Sequence, residues 1–247
     1  MITKNNITRY AVLGLGRSGT TAIHFALKGH PNVSALNDEV KVSFFSEGIS
    51  SFTQRDDNEV EKEIGTTKLF DAITGVFSDG KTVAHGLKCV PADIDDTALL
   101  VNSIRQHYPD LKIVLLKRND LTAQYGSMLR AQKTGEWHSW RLNKNTGNVS
   151  IKISRQLFKK YIKRSLSKFD LLDGLRNSHD LLIVDYEQSL LRDAGPNFSE
   201  VFHFLNLPDL PVTWLNCEKV APPPEEYILN YHKMKDLYIG FERPQTS

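Results

Sequence analysis

The chain has 247 residues, 40% apolar and 24% charged, enough for one well-cored α/β domain and incompatible with intrinsic disorder or a fibrous architecture. Two cysteines, Cys89 and Cys217, are too few for a disulfide scaffold and have no partners at zinc-ligand spacing. The net charge of +2 is unevenly spread: residues 112–168 hold fourteen Lys and Arg against only Asp120 and Glu136, a balance that suits an anionic ligand. The opening MITKNNITRY has no apolar signal core and no run nears ~18 apolar residues. The expected setting is therefore cytoplasmic, with reduced thiols and no membrane span.

Short apolar runs alternate with helical periodicity, the pattern of βαβ units around a central parallel sheet flanked by helices. Residues 10–14 read as a first buried strand, 20–28 as a helix stopped by Gly29-His-Pro31, and 33–36 as a short strand. Residues 59–77 read as mostly helical and 81–90 as extended, ending at Pro91. A helix with an acidic first turn follows at 95–107, then LKIVLLK at 111–117, the clearest buried strand, and a helix at 121–132. Residues 154–175 carry Leu157, Phe158, Tyr161, Ile162, Leu166, Phe169 and Leu172 on one helical face, with lysines largely opposite. LLIVD at 181–185 is another strand, and 198–205 and 225–237 are the last helices. Pro222–Pro224 marks a stiff loop, and with no repeat or low-complexity stretch, residues 1–247 read as one domain.

The turn Gly14-Leu-Gly-Arg-Ser-Gly-Thr-Thr21 follows a strand and opens a helix, a ready anion site built of backbone N–H groups. Two frames fit it. Gly14, Gly16 and Gly19, with Asp38 and Glu39 ~20 residues on, match a dinucleotide fingerprint. Gly14 and Gly19 followed by Thr20-Thr21 match a P-loop in which Thr20 stands where the lysine belongs, with Arg17 offering a charge elsewhere. The loop alone leaves both open.

Residues further along bear on the choice. Arg17-Ser-Gly-Thr-Thr21 after a strand resembles the 5′-phosphosulfate loop of sulfotransferases that use 3′-phosphoadenosine 5′-phosphosulfate (PAPS). Arg118 at the end of a strand and Ser127 one helix face later resemble that family's 3′-phosphate pair, an arginine fork and a hydroxyl. Arg118-Asn-Asp120, Gln124, Ser127, Arg130-Ala-Gln132 and Thr134-Gly-Glu-Trp-His138 look like the trehalose sulfotransferase-type branch. The stretches 182–187 (LIVDYE) and 201–208 are similar to the family's strand ending in Tyr-Glu and its helix ending in Leu-Pro. The pieces span residues 10–208.

The resemblance implies a P-loop NTPase-like sulfotransferase fold and transfer of a sulfuryl group from PAPS to a hydroxyl of a saccharide or glycosylated small molecule. It implies 3′,5′-ADP as product and no metal. Arg17 would clamp the sulfuryl and leaving oxygens, and Lys88 would add a second positive charge. Ser18, Gly19, Thr20 and Thr21 would hold the 5′-phosphate, and Arg118 and Ser127 the 3′-phosphate. The stretch Gly86-Leu-Lys-Cys-Val-Pro91 lacks the histidine that serves many cytosolic sulfotransferases as base. Glu39 matches the glutamate that fills that role in the trehalose-type branch, with burial expected to prepare it for proton transfer; Asp38, His85 and His138 are the alternatives. Trp137 and His138 would line the acceptor pocket, with Trp137 as a core anchor the competing reading. Relatives of this kind often form dimers, so a homodimer is compatible.

Three other functions stay open: an NAD(P)-binding oxidoreductase on the glycine fingerprint, a kinase using Asp185 to hold magnesium, and a non-enzymatic polyanion-binding module on the basic segment. Nucleic acid is not expected as a partner, since no zinc finger, RNP-like strand or recognition helix is visible.

Overall fold

In a computed structural model that describes residues 7–47, 52–55, 61–64, 82–137, 149–192, 194–212 and 222–242, the apolar runs become strands. They are β1 (Thr8–Gly14), β2 (Val33–Glu39), β5 (Ala84–Cys89), β6 (Lys112–Lys117) and β7 (Leu181–Asp185). These five form one sheet in the order β2-β5-β1-β6-β7, with every neighbouring pair parallel. Both faces are covered, so each strand needs apolar residues at consecutive positions. Alternation still sorts them. Ala11, Leu13, Leu36, Leu87, Ile113 and Leu115 pack on one face, and Tyr10, Val12, Val114, Leu116 and Val184 on the other.

Helix α1 (Thr20–Lys28) covers the second face with Ile23, Ala26 and Leu27. The first face meets α2 (Ser43–Glu47) through Phe45 and α3 (Ile94–His107) through Leu100, Val101 and Ile104. The start of α3 is capped by Asp93, whose side chain accepts from the Asp96 N–H at 2.9 Å, a contact of about 1 kcal/mol. Helix α4 (Leu121–Thr134) follows β6. The long α5 (Arg155–Asp173) continues as a 3-10 turn at Gly174–Asn177. Two short helices follow β7: α6 (Tyr186–Leu190) directly and α7 (Ser199–Phe204) later. Lys159, Lys160 and Lys163 on α5 are exposed. Lys168 instead turns inward and donates to the carbonyls of Pro91 (2.6 Å) and Ala92 (3.1 Å), so burial lowers its pKa.

Three sequence expectations change. Within 59–77, read as helical, the described residues Glu61–Ile64 are a strand, β4. It pairs antiparallel with β3 (Phe52–Arg55), and the cross-strand ladder supplies the backbone bonds that a local helical period cannot promise. The short strand read at 33–36 runs on to Glu39 through a register irregularity between Ala35 and Glu39, which sets Glu39 opposite Lys88.

The last helix is broken into α8 (Pro224–Tyr227) and α9 (Tyr231–Glu242). Between them Ile228 is extended and bridges Ile151: Ile151 N–H donates to Tyr227 (2.8 Å) and Leu229 N–H to Ile151 (2.9 Å). Asn230 adds bonds to both the N–H and the carbonyl of Ile153. A third core forms here, where Tyr125 of α4, Phe158 and Ile162 of α5 and Tyr231 and Met234 of α9 meet.

Candidate active site

Every strand of a parallel sheet delivers its C-terminal residue to the same edge, and ligands bind where the strand order reverses. Here that place is beside β1, because the chain passes from β1 to β2, back to β5, and across β1 to β6. The first loop leaves β1 at Gly14 and enters α1 through Gly19, which is left-handed (φ 93°) and gives the helix no side-chain cap. A Cβ there would lie 2.7 Å from the Tyr186 ring, so the position requires glycine for both conformation and space. Arg17 is also left-handed (φ 65°), an uncommon state for a non-glycine residue. The carbonyls of this loop are engaged from outside: Gln124 Nε2 donates to Gly16 at 2.7 Å and Arg118 Nη1 to Arg17 at 2.9 Å. Within the loop the Ser18 N–H donates to the Leu15 carbonyl at 3.1 Å, and the chain runs from there into the N-terminus of α1, whose first-turn N–H groups have no side-chain cap. Ser18 and Thr20 are buried here, and Ser18 Oγ is buried without a hydrogen-bond partner.

The second loop, Arg118–Asp120, leaves β6 next to the first. Asp120 caps α4 by accepting from the Ala123 N–H at 2.8 Å, and its other oxygen accepts from the Tyr231 hydroxyl. The Arg118 guanidinium lies 4.4 Å over the Tyr186 ring, and its Nε, buried, has no hydrogen-bond partner. Arg17 reaches across from the first loop, donating from Nε to Ser127 Oγ at 3.0 Å and from Nη1 to the Trp137 carbonyl at 2.6 Å. Arg17, Ser18, Gly19, Thr20, Arg118 and Ser127, separate in sequence, therefore converge on one region.

A third group completes the edge. Lys88 near the end of β5, itself buried, donates to Thr21 Oγ1 at 3.1 Å and pairs with Glu39 Oε2 at 3.1 Å. The burial expected for Glu39 is absent: its side chain is 43% exposed, because β2 is the edge strand. Asp38 precedes it in β2. His85 is buried in β5 three residues before Lys88, roughly 10 Å back along the strand, so it does not share this edge. Trp137 is 42% exposed and is not a core anchor; its carbonyl, not its ring, holds Arg17. His138 lies outside the described residues, as does Cys217.

The dinucleotide frame needs the acid-bearing second strand beside β1, whereas β5 stands between β2 and β1. The kinase frame needs Asp185 facing a metal, whereas its oxygens accept from the Gln188 N–H (2.8 Å) and from Asn119 Nδ2. Among the described residues no group of His, Cys, Asp or Glu is arranged to hold a metal, and no helix is long and apolar enough to cross a membrane. Burial pushes the Cys89 thiol up to about 12, Glu39 adding to the effect, so it stays protonated beside the site. Tyr227 is also pushed up to about 12 by burial, with Arg118, Arg130 and Arg17 pulling the other way. Residues beyond the sequence expectations are Gln124, Asn119, Tyr186 and Glu187, which hold the two loops. Asn119, Gln124 and the Tyr-Glu pair were all visible in the sequence as motif letters, but with no role attached.

No protein-family model matches the chain. Nodulation protein H of Rhizobium meliloti is 20% identical over 234 residues, 92% of this chain and 89% of that protein. Among solved structures, the sulfotransferase domain from the curacin biosynthetic pathway superposes with a TM-score of 0.54 at 11% identity, covering 96% of this chain and 92% of that one. Sulfotransferase STF1 from Mycobacterium tuberculosis superposes with a TM-score of 0.50 at 14% identity, covering 95% of this chain and 77% of that one. With a five-stranded parallel sheet, a glycine-bearing loop between β1 and α1, and superpositions that take in at least 95% of its length, the chain has the sulfotransferase fold.

Proposed function

We propose that the protein is a PAPS-dependent sulfotransferase acting on a hydroxyl of a carbohydrate or glycosylated small molecule, with 3′,5′-ADP as product. The observation that supports this is the pairing of the loop after β1 with the Arg118 loop and the helix behind it, through Arg17 and Arg118. The first loop runs into a helix without a side-chain cap and the second begins at an arginine, features that suit a ligand with two separate phosphates. Two buried donors without hydrogen-bond partners, Ser18 Oγ and Arg118 Nε, fit phosphate oxygens, which only accept.

When bound, PAPS supplies an activated sulfuryl group for in-line transfer. Ser18, Thr20, Thr21 and the N–H of Gly19 would hold the 5′-phosphate, and Arg118 and Ser127 the 3′-phosphate. Arg17, bonded to Ser127 and to the Trp137 carbonyl, would neutralise charge on the sulfuryl and leaving oxygens. Glu39 would take the proton of the acceptor hydroxyl. Lys88 bonds both Thr21 and Glu39, so one ammonium both orients the carboxylate and adds positive charge near the 5′-phosphate loop. The exposed indole of Trp137 offers a face on which a sugar can stack, with His138 beside it in sequence. The reading has the whole chain acting as one domain in the cytoplasm, without a metal, and compatible with a homodimer.

The test is transfer from PAPS to a panel of saccharides and glycosides, with release of 3′,5′-ADP as readout. Glu39→Gln is expected to lower kcat at least about a hundredfold, the usual worth of a general base, while 3′,5′-ADP binding stays as in the wild type. Near wild-type turnover in that variant would move the base to Asp38 or His138. Failure of the wild type to bind 3′,5′-ADP would remove the donor.

A further inference from the structure

The arginine end of the site is gripped by the tripeptide Asp185–Glu187, which runs on from the end of β7. Strands β6 and β7 pair in parallel with Lys117 opposite Asp185, so the turns that follow them leave the sheet side by side. Glu187 then accepts from two backbone N–H groups of the neighbouring turn, Asn119 at 3.0 Å and Asp120 at 3.1 Å. Its Oε1 also lies 3.9 Å from Arg118 Nε, close enough for an ion pair and too far for a hydrogen bond. Asp185 accepts from the Asn119 side chain. Tyr186 lies under the Arg118 guanidinium, and the same ring closes on the Cα of Gly19 in the first loop.

Each residue of Asp185–Glu187 therefore acts on the other loop, and Tyr186 touches both. The consequence follows from the chemistry of an arginine fork. Two parallel hydrogen bonds to a phosphate demand a fixed guanidinium plane, and a free arginine side chain loses rotamer entropy in providing it. A stacked ring below sets the plane, and a carboxylate at ion-pair distance holds the charge without occupying the Nε–H. The same carboxylate satisfies the two N–H groups of the turn, so the Cα of Arg118 is fixed along with its side chain.

We propose that Glu187 is a positioning residue for the 3′-phosphate end of the donor site: it acts through Arg118, with Tyr186 as the platform, and the inference rests on the PAPS reading above. A residue that merely supported the fold would weaken all ligands alike. A residue that aims Arg118 weakens only the part of the affinity that comes from the 3′-phosphate.

The experiment is titration of 3′,5′-ADP and 5′-AMP into the wild type, Glu187→Gln, Arg118→Ala and the double variant, with folding checked by thermal unfolding. Glutamine keeps the shape but loses the charge and turns an NH2 group toward one backbone N–H. We expect 3′,5′-ADP to bind about tenfold more weakly to Glu187→Gln, the scale of one charge-assisted contact, with 5′-AMP changed less than about twofold. In the Arg118→Ala background the same substitution is expected to add no further loss. An equal loss for both ligands, an unchanged preference, or full additivity in the double variant overturns the assignment. Should Glu187→Gln not fold, Glu187→Asp keeps the charge on a shorter arm and is read by the same ratio, an intermediate loss supporting the role and an unchanged ratio overturning it. If the wild type does not distinguish 3′,5′-ADP from 5′-AMP, the donor reading fails first and this inference falls with it.

Discussion

His24 sits on the buried face of α1 with Nε2–H donating to the Leu36 carbonyl at 2.8 Å. Its Nδ1 is buried without a hydrogen-bond partner, so protonation there would place a charge in an apolar layer near Lys88 and Lys28. Burial lowers its pKa from 6.5 to about 4. The folded state thus disfavours the proton that the unfolded chain takes up first. Stability from this residue is complete above pH 6.5 and is lost as pH falls toward 4, by an amount on the order of 3 kcal/mol. Denaturant unfolding between these two pH values is expected to show that decline, and His24→Gln to flatten it; an unchanged slope in the variant would assign the decline to other groups. The sequence could list His24 as structural, but not that it lies beneath the strand that ends in Glu39. The pairing of Glu39 with Lys88 was equally hidden, because a register shift between Ala35 and Glu39 sets it and such a shift has no local signature there.

Among the elements, those whose ends carry their own chemistry were readable in advance. Helix α3 has Asp93 before it, acids in its first turn and Arg105 and His107 in its last, and its bounds match the expectation closely. The final helix did not, because its break depends on an isolated bridge to a residue 77 positions away in sequence, Ile151 opposite Ile228. Gly126 of α4 lies directly beneath that bridge: a Cβ there would fall 2.2 Å from Ile228 Cδ1. Gly126→Ala is therefore expected to destabilise by about 1–3 kcal/mol and to loosen residues 222–230. A lower Tm with faster proteolytic cleavage in that stretch checks it, and a stability gain from the added helix propensity would mean that Ile228 gives way freely.

The sheet brings residues 14–21, 39, 88 and 118–127 to one edge, so under the proposed function a ligand bridging the loops after β1 and β6 should stabilise the fold as a unit. At about 100 times its dissociation constant a ligand adds roughly 2.7 kcal/mol, about 2–4 °C for a domain of this size. A Tm shift of that order is expected with 3′,5′-ADP and not with NAD⁺ or 5′-AMP at equal concentration. A shift with NAD⁺ alone would reverse the conclusion drawn from the strand order.

Much of this was legible in residues 10–21 and 111–138. Buried parallel strands read as apolar runs, the tight turn between β1 and α1 as glycine and hydroxyl residues between a strand and a helix, and the family resemblance as a spaced set of motif residues. The strand order was not legible, and it is what separates this fold from a dinucleotide-binding one: the same glycines and the same acids serve either until β5 is seen to lie between β1 and β2. Nor were the contacts of Glu39 with Lys88, Arg17 with Ser127 and Glu187 with the Arg118 turn, which join residues 49 to 110 positions apart. Periodicity and capping act over a few residues and leave a record in the local sequence. Register, strand order and side-chain pairing arise from packing between distant segments, and the chain must fold before they exist.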